Sequence, residues 1–182
     1  MSVSWEQQTA ALIASDDYRM ACLRAARALH LPDWYIGAGF VRNAIWDACH
    51  QYATATPLND IDLVYFDTDD TSSTRDMALE DNARNSLQAT WEIRNQARMH
   101  EKHGNPPYKN TAHVIAHWVE VPTCVGVRLN TDDTLTFTAP FGLGENWSCQ
   151  VRMNPEVPRP DTYKKRVQDK GWAERWPRLQ FV

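Results

Sequence analysis

The sequence predicts a mixed α/β or α+β domain. Three observations point there: helical and strand periodicities alternate along the chain, no internal repeat recurs, and the composition is that of a globular protein. The chain has 182 residues, 43% hydrophobic and 23% charged. That suffices for one domain with a buried core, or one domain with a short appendage, and leaves two full domains cramped.

The elements follow in order. From Trp5 to about Leu29 the apolar residues Leu12, Ile13, Met20, Leu23, Ala26 and Leu29 recur at helical spacing, with Asp16 and Asp17 as an interruption or second cap. One or two helices therefore open the chain. Asp33 to Ile36 reads as a short strand, Gly37-Ala38-Gly39 as a glycine turn, and Val41, Ala44, Ile45, Ala48 and Tyr52 as one face of a helix. Ile61 to Phe66 is β-branched and aromatic, bounded by Pro57-Leu58-Asn59 and by an Asp/Thr/Ser cluster, and is the clearest strand. Thr74 to about Thr90 reads as a helix, Trp91 to Met99 as a strand, and Gly104-Asn105-Pro106-Pro107 as a loop. Thr111 to Val119 is expected to be helical. Thr123 to Leu129 and Leu135 to Ala139 flank Asn130-Thr131-Asp132-Asp133 as a hairpin would, and a strand around Ser148 to Met153 follows. A proline-rich stretch from Pro155 to Pro160 leads to a last charged helix, Thr162 to Arg175.

Charge and cysteine usage narrow the function classes. A net charge of −4 disfavours a protein that coats nucleic acid by charge alone, while a local basic patch stays compatible with it. Cys22, Cys49, Cys124 and Cys149 are scattered, without the close pairs of zinc or redox motifs, so reduced thiols are expected. The start, Met-Ser-Val-Ser-Trp, has no basic region followed by an apolar run, and no stretch approaches the length of a membrane span. The expectation is a cytoplasmic protein without a membrane partner.

The chemistry concentrates at Asp60-Ile61-Asp62. Side chains alternate along a strand, so the two carboxylates point one way and Ile61 the other, into the core. Two like charges held side by side repel, and a hard divalent cation such as Mg²⁺, which prefers oxygen ligands and phosphate, relieves that repulsion. The competing reading is a solvated strand start. Upstream, Gly37-Ala38-Gly39 sits between strand and helix, where small residues let backbone N–H groups and the positive helix end approach a phosphate, and Arg42 in the first turn adds a cation. A plain tight turn with Arg42 in solvent is the alternative. The order phosphate cradle, arginine, paired aspartates favours the functional reading.

At these residues the sequence resembles the polymerase-β-type nucleotidyltransferase superfamily, whose signature is a glycine turn opening a helix followed by an Asp-x-Asp strand. More closely, Gly37 to Asn43 with Trp46-Asp47, and Asn59 to Phe66, look like a bacterial nucleotidyltransferase-like family of unknown substrate. Asn95 to His100, Pro107-Tyr108, Val125 to Leu129, Ala139 to Leu143 and Arg175-Trp176-Pro177 extend the likeness over roughly residues 10 to 180. One departure is Gly37-Ala38, where the superfamily normally has glycine-serine or glycine-glycine. The resemblance implies a polymerase-β-like α+β core, a mixed central sheet flanked by helices, with a C-terminal helical tail. The expected layout is one domain over residues 1–182, with its core at about 10–154 and an extension from about 155 to 182.

The activity so implied is Mg²⁺-dependent (or Mn²⁺-dependent) transfer of a nucleoside monophosphate from a nucleoside triphosphate to an unidentified acceptor, with pyrophosphate leaving and two metals about 4 Å apart serving the in-line geometry. Asp60 and Asp62 would hold metal. Gly37, Ala38, Gly39, Arg42 and Asn43 would bind the nucleotide. Compact size and acidic charge favour a small-molecule or protein acceptor over RNA. A catalytically inactive nucleotide-binding or regulatory module of the same fold is the alternative.

Further candidates surround this centre. Glu92 is the candidate third carboxylate, because alternation sets Glu92 and Arg94 on one face and Trp91 and Ile93 on the other; simple pairing with Arg94 competes with that role. Asn95, Gln96, Arg98 and His100 are candidate acceptor-binding residues, polar groups in a strand-like run, and structural polarity is the competing reading. His100 and His103 precede a turn and could face a cleft beside Arg98, though a plain surface loop is the favoured reading. His113 and His117 have helical zinc-ligand spacing but lack the intervening glutamate and a third ligand, which favours a structural role. Trp172 and Trp176, among Lys170, Arg175 and Arg178, are expected to pack a terminal helix onto the core, and a nucleic-acid-stacking surface is the alternative.

Overall fold

The computed structural model of the protein describes residues 3–182. Two helices open it, α1 (Trp5–Ala14) and α2 (Asp17–Arg27). Ser4 and Gln7 form a capping box on the first, and Asp16 accepts from the Arg19 backbone N–H to start the second, so the acid pair is indeed a second cap.

A five-stranded mixed sheet follows. Its strands are β1 (Tyr35–Gly37), β2 (Ile61–Tyr65), β3 (Trp91–Asn95), β4 (Gly126–Leu129) and β5 (Leu135–Thr138), in the spatial order β3-β2-β1-β4-β5. Only β2 and β3 run parallel, joined by the crossover helix α4 (Ser73–Ser86), while the other neighbours are antiparallel. Helix α3 (Gly39–Cys49) leaves β1 directly and packs beside β2.

Alternation divides the sheet into two working faces. Ile36, Ile61, Leu63, Tyr65, Trp91, Ile93, Val127 and Leu129 join residues of α2 and α3 in the main core. The opposite face carries Tyr35, Gly37, Asp62, Val64, Glu92 and Arg94. Part of it is sealed by a smaller cluster of Tyr35, Val64, Ile115 and Cys124, with Trp118 and Phe141 against it. The rest opens as a cavity.

Several boundaries differ from the sequence expectation, for local reasons. The strand from Trp91 stops at Asn95, because the Asn95 side chain accepts from the Ala97 N–H and caps a 3₁₀ turn (Gln96–Arg98); a short helix, α5 (Met99–His103), follows. Helix α4 ends at Ser86 rather than near Thr90, and α6 (Thr111–Ile115) ends well before Val119. After a 3₁₀ turn (Val121–Thr123), the first hairpin strand begins only at Gly126. A one-turn helix, α7 (Gly144–Trp147), precedes β6, which is just Gln150–Val151 and pairs in parallel with a terminal strand, β7 (Gln180–Phe181).

The last helix is two. Pro160 occupies the first turn of α8 (Pro160–Lys170), and Gly171, in the left-handed conformation, ends it before α9 (Trp172–Arg175). Trp172 and Trp176 are buried against Trp46 of α3, with ring centroids 5.5 and 5.1 Å away in edge-on geometry. Residues 155–182 thus supply core aromatics and a strand besides the expected helices. Among the described residues no helix is long and apolar enough to cross a membrane.

Candidate active site

Strand β2 presents Asp62 to the open sheet face, and Asp60 stands just before the strand begins. The parallel pairing aligns Asp62 with Glu92 directly across the ladder, and Val64 with Arg94. All three acids line one cavity of about 450 Å³. Asp62 is half-buried, and its carboxyl is pushed up to about 6, first by desolvation and then by the negative charges of Asp60 and Glu92; Arg42 and Lys170 act in the opposite sense. At Asp62, burial and the neighbouring acids outweigh the nearby cations.

A second, smaller recess of about 70 Å³ adjoins the first at the start of α3. Gly39, Arg42, Asn43, the Pro57-Leu58-Asn59 loop, Trp172 and Arg175 line it. Ala38, Asp60, Asp62, Arg166 and Lys170 border both spaces. The two aspartates therefore stand at the junction of a polar, cation-rimmed recess and a larger cavity.

Local chemistry fixes this corner. The loop into Asp60 is held by Asp47 of α3, which accepts from the Thr56 N–H and hydroxyl at 2.7 and 2.6 Å and from the Trp176 indole N–H at 2.7 Å. Arg42 is buried between Trp46 and Trp172, its guanidinium 5.0 and 4.6 Å from their ring centroids. Its Nη1 donates to Thr123 Oγ1 at 2.7 Å, and its Nε and Nη2 donate to Asn43 Oδ1. Burial is the main influence on its pKa, which falls to about 10. Arg42 is not in solvent, as the competing reading had it: Arg42 and Asn43 bind one another and line the recess as a buried pair.

The glycine turn also differs from the simple cradle. Gly37 belongs to β1, and a Cβ there would lie 2.6 Å from Cη2 of Trp118, so it is small because an indole packs on it. Ala38 turns the chain with φ 54° and ψ −124°, a conformation L-residues rarely adopt, and its N–H donates to the Val125 carbonyl. Gly39 starts the helix beside the Arg42 and Asn43 side chains.

Of the four expected acceptor-binding residues, only Gln96 lines the cavity. Asn95 is fully buried; its amide donates to the Asp67 and Asp70 carbonyls and its Oδ1 accepts from the Asp67 and Ala97 N–H groups. Arg98 pairs with buried Asp76 and donates to the Thr71 carbonyl, while His100 Nδ1 meets the Ala97 carbonyl. These three side chains bond within the fold and do not line the cavity, which favours the structural reading of their polarity. The His103 side chain lies outside the described residues.

Sequence reasoning missed the cationic wall. Arg159, Arg166 and Lys170 come from the start and one face of α8 and reach the cavity from 100 residues downstream. Their spacing of seven and four was a visible helical signal, yet nothing local tied that face to Asp62. Tyr108, His117 and Trp118 on the far wall were likewise unassigned.

The donor set suits a hard cation with substrate oxygens completing its shell. Among the described residues no three His, Cys, Asp or Glu side chains are close enough to hold a metal by themselves. Mg²⁺ commonly binds through one or two carboxylates plus phosphate, so Asp60 and Asp62 fit that pattern.

No curated protein matches the sequence. Among solved structures, one determined by NMR and described as revealing a CCA-adding enzyme head domain is 31% identical; the match covers 100% of this chain and 97% of that one, with a TM-score of 0.84. A CCA-adding enzyme in complex with ATP (13% identity, TM-score 0.59) and a tRNA-processing enzyme complex (14%, 0.56) share the fold, over 96% and 88% of this chain and 43% of each of theirs. A nucleotidyltransferase family profile matches residues 24–181. With that profile spanning most of the chain, the protein belongs to the nucleotidyltransferase family.

Proposed function

We propose that the chain transfers a nucleoside monophosphate from a nucleoside triphosphate to an acceptor hydroxyl, using Mg²⁺ or Mn²⁺ held at Asp60 and Asp62. The observation that carries this reading is the position of the two aspartates between a cation-rimmed recess and a larger cavity. An in-line displacement at phosphorus needs that division, with the leaving group on one side and the attacking group on the other.

The residues take these parts. Arg166, Lys170 and Arg175, with buried Arg42 behind them, offset the charge of the β and γ phosphates at the start of α3. A divalent cation held by Asp60 and Asp62 would supply positive charge to the phosphoryl oxygens. Glu92, in register with Asp62, accepts the proton of the attacking hydroxyl. As the new P–O bond forms, the bond between the α-phosphorus and its bridging oxygen breaks, and pyrophosphate leaves into the recess.

The acceptor we favour is a small molecule or protein side chain, in keeping with the net charge of −4. An RNA acceptor is the second reading, supported by the likeness to a CCA-adding enzyme head domain. RNA binding that falls steeply with salt would favour the second reading, and salt-independent or absent binding the first. The activity is tested with α-labelled nucleoside triphosphates and Mg²⁺ across a panel of acceptors. Label should pass to at least one acceptor with the parent protein and to none with Asp60→Asn plus Asp62→Asn. Failure of the parent to bind any nucleotide with metal, or equal transfer by the double variant, would sink the reading.

A further inference from the structure

The cysteines play no part in the chemistry above, and two of them meet. Cys49 ends α3, and Cys149 stands between α7 and β6. Cys49 packs against the cluster in which Cys149 is buried with Trp46, Trp172 and Trp176, and the two thiols lie within hydrogen-bonding reach of each other. Both line an open recess of about 560 Å³ with Trp147, Ser148, Arg178 and Gln180. That recess shares no residue with the two spaces around Asp60 and Asp62. Cys22 and Cys124 are buried elsewhere and line no part of it.

The backbone at Cys149 is a second, independent pointer. Its φ is 57°, in the left-handed region, one residue past the C-cap of α7, a position that glycine usually takes. A cysteine is held there against the local preference, and the surrounding bonds keep it in place. Its N–H donates to the Asn146 carbonyl at 3.2 Å, and its carbonyl accepts from the Gln180 N–H at 2.8 Å. Cys49 is fixed from the other side: its thiol donates to the Trp147 carbonyl at 3.3 Å, and its carbonyl accepts from the Arg178 guanidinium. Burial first, and then Cys149, push the Cys49 thiol up to about 12, with Arg178 acting in the opposite sense. Its thiolate, the form that attacks a disulfide, is therefore scarce at neutral pH.

We propose that Cys49 and Cys149 are a redox dithiol, a modification site for small disulfides of the glutathione class, whose oxidised form staples the strand pair β6–β7 to α3. One thiol loses its proton and its sulfur attacks the small disulfide, forming a mixed disulfide and expelling one thiolate. The second cysteine, likewise deprotonated, attacks the protein sulfur of that intermediate and expels the other. The departing thiolates take up the two protons, so two cysteines are oxidised, one small disulfide is reduced, and no further reactant is needed. The new bond closes a loop of about 100 residues and falls on a strand pair of only two residues each. The inference stands apart from the transfer reading, because it uses none of the residues that border the aspartates.

Oxidised glutathione added to the full chain at mildly alkaline pH, followed by peptide mapping, tests the staple. The folded parent should lose two hydrogens through one Cys49–Cys149 disulfide that dithiothreitol reverses, with Cys22 and Cys124 still thiols. Closure should raise Tm by about 5–15 °C and slow amide hydrogen exchange at 147–151 and 180–182. Cys149→Gly, which suits the left-handed backbone, should stop at a single glutathione adduct on half-buried Cys49, without the rise in Tm. Cys49→Ser should also lack the rise. Separate glutathione adducts on both cysteines of the parent, no reaction in the folded state, or a bond that forms only in urea would overturn the proposal. So would closure that leaves Tm unchanged.

Discussion

At single residues, the site shows strain and charge held for a purpose other than stability. Ala38 turns the chain at φ 54° and ψ −124°, where a Cβ costs about 1–3 kcal/mol, whereas glycine adopts that backbone freely. Ala38→Gly should therefore raise stability by about 1 kcal/mol, after the greater freedom glycine gives the unfolded chain is deducted. A urea midpoint that falls at unchanged slope would contradict it. The neighbouring change has the opposite sign: Gly37→Ala drives a methyl to 2.6 Å from the Trp118 indole and should cost about 1–3 kcal/mol as that ring is displaced. Asp62 carries the electrostatic cost. Its folded pKa of about 6 lies above the ordinary carboxyl value, so the folded state binds its proton more tightly than the unfolded chain does. Stability from this group is thus lost as pH rises from about 4 to about 6 and stays lost above. Asp62→Asn should stabilise the metal-free protein by roughly 2 kcal/mol at pH 8 and hardly at all at pH 4, while ending transfer. Melting curves at the two pH values decide it, and a destabilised variant at pH 8 would refute it.

Elements set which of these residues meet, and here local signals divide cleanly from distant ones. The alternation of Ile61-Asp62-Leu63 and of Trp91-Glu92-Ile93 was legible in the sequence, because a strand's period of two assigns faces without reference to any partner. That β2 and β3 would pair in parallel with Asp62 opposite Glu92 was not, since alternation carries no register between strands. The end of β3 at Asn95 turned on one side chain bonding its own backbone. The strands β6 and β7, two residues each, leave no period to read. Pro160 and Gly171 were present as start and stop signals for α8, yet the helix-compatible Trp172-Ala173-Glu174-Arg175 beyond Gly171 masked the stop. The docking of α8 was hidden for a different reason: it depends on Glu120, an ordinary-looking acid that the fold buries completely and that accepts from Arg166 Nε and Nη2. Arg166→Ala leaves that carboxylate unpaired in the interior and should cost about 3 kcal/mol. Adding Glu120→Gln should restore most of the loss, and a double-mutant cycle by urea denaturation reads the coupling. Equal loss in single and double variants would show that Arg166 acts through packing alone.

For the molecule as a whole, the proposed reading has the terminal segment tie stability to ligand. Residues of α8 and α9 cover the polar recess with Arg166, Lys170 and Arg175, and the same segment buries Trp172 and Trp176 against α3, where Arg42 is sandwiched. On the proposed reading, a triphosphate carrying Mg²⁺ would bridge Asp60 and Asp62 to these cations and so join the sheet to the C-terminal helices. Binding linkage gives the size of the effect: at a hundred times the dissociation constant, ligand adds about 2.7 kcal/mol to the folded state. For a chain of this length that corresponds to a rise in Tm of roughly 5–10 °C. Nucleoside triphosphate with Mg²⁺ should produce that rise and slow amide hydrogen exchange across 160–175 as well as at 37–43. Asp60→Asn plus Asp62→Asn should lose the metal-dependent part of the rise, and Lys170→Ala should lose part of it with or without metal. Protection confined to 37–43, with exchange at 160–175 unchanged at saturating ligand, would mean that the C-terminal helices border the nucleotide without holding it.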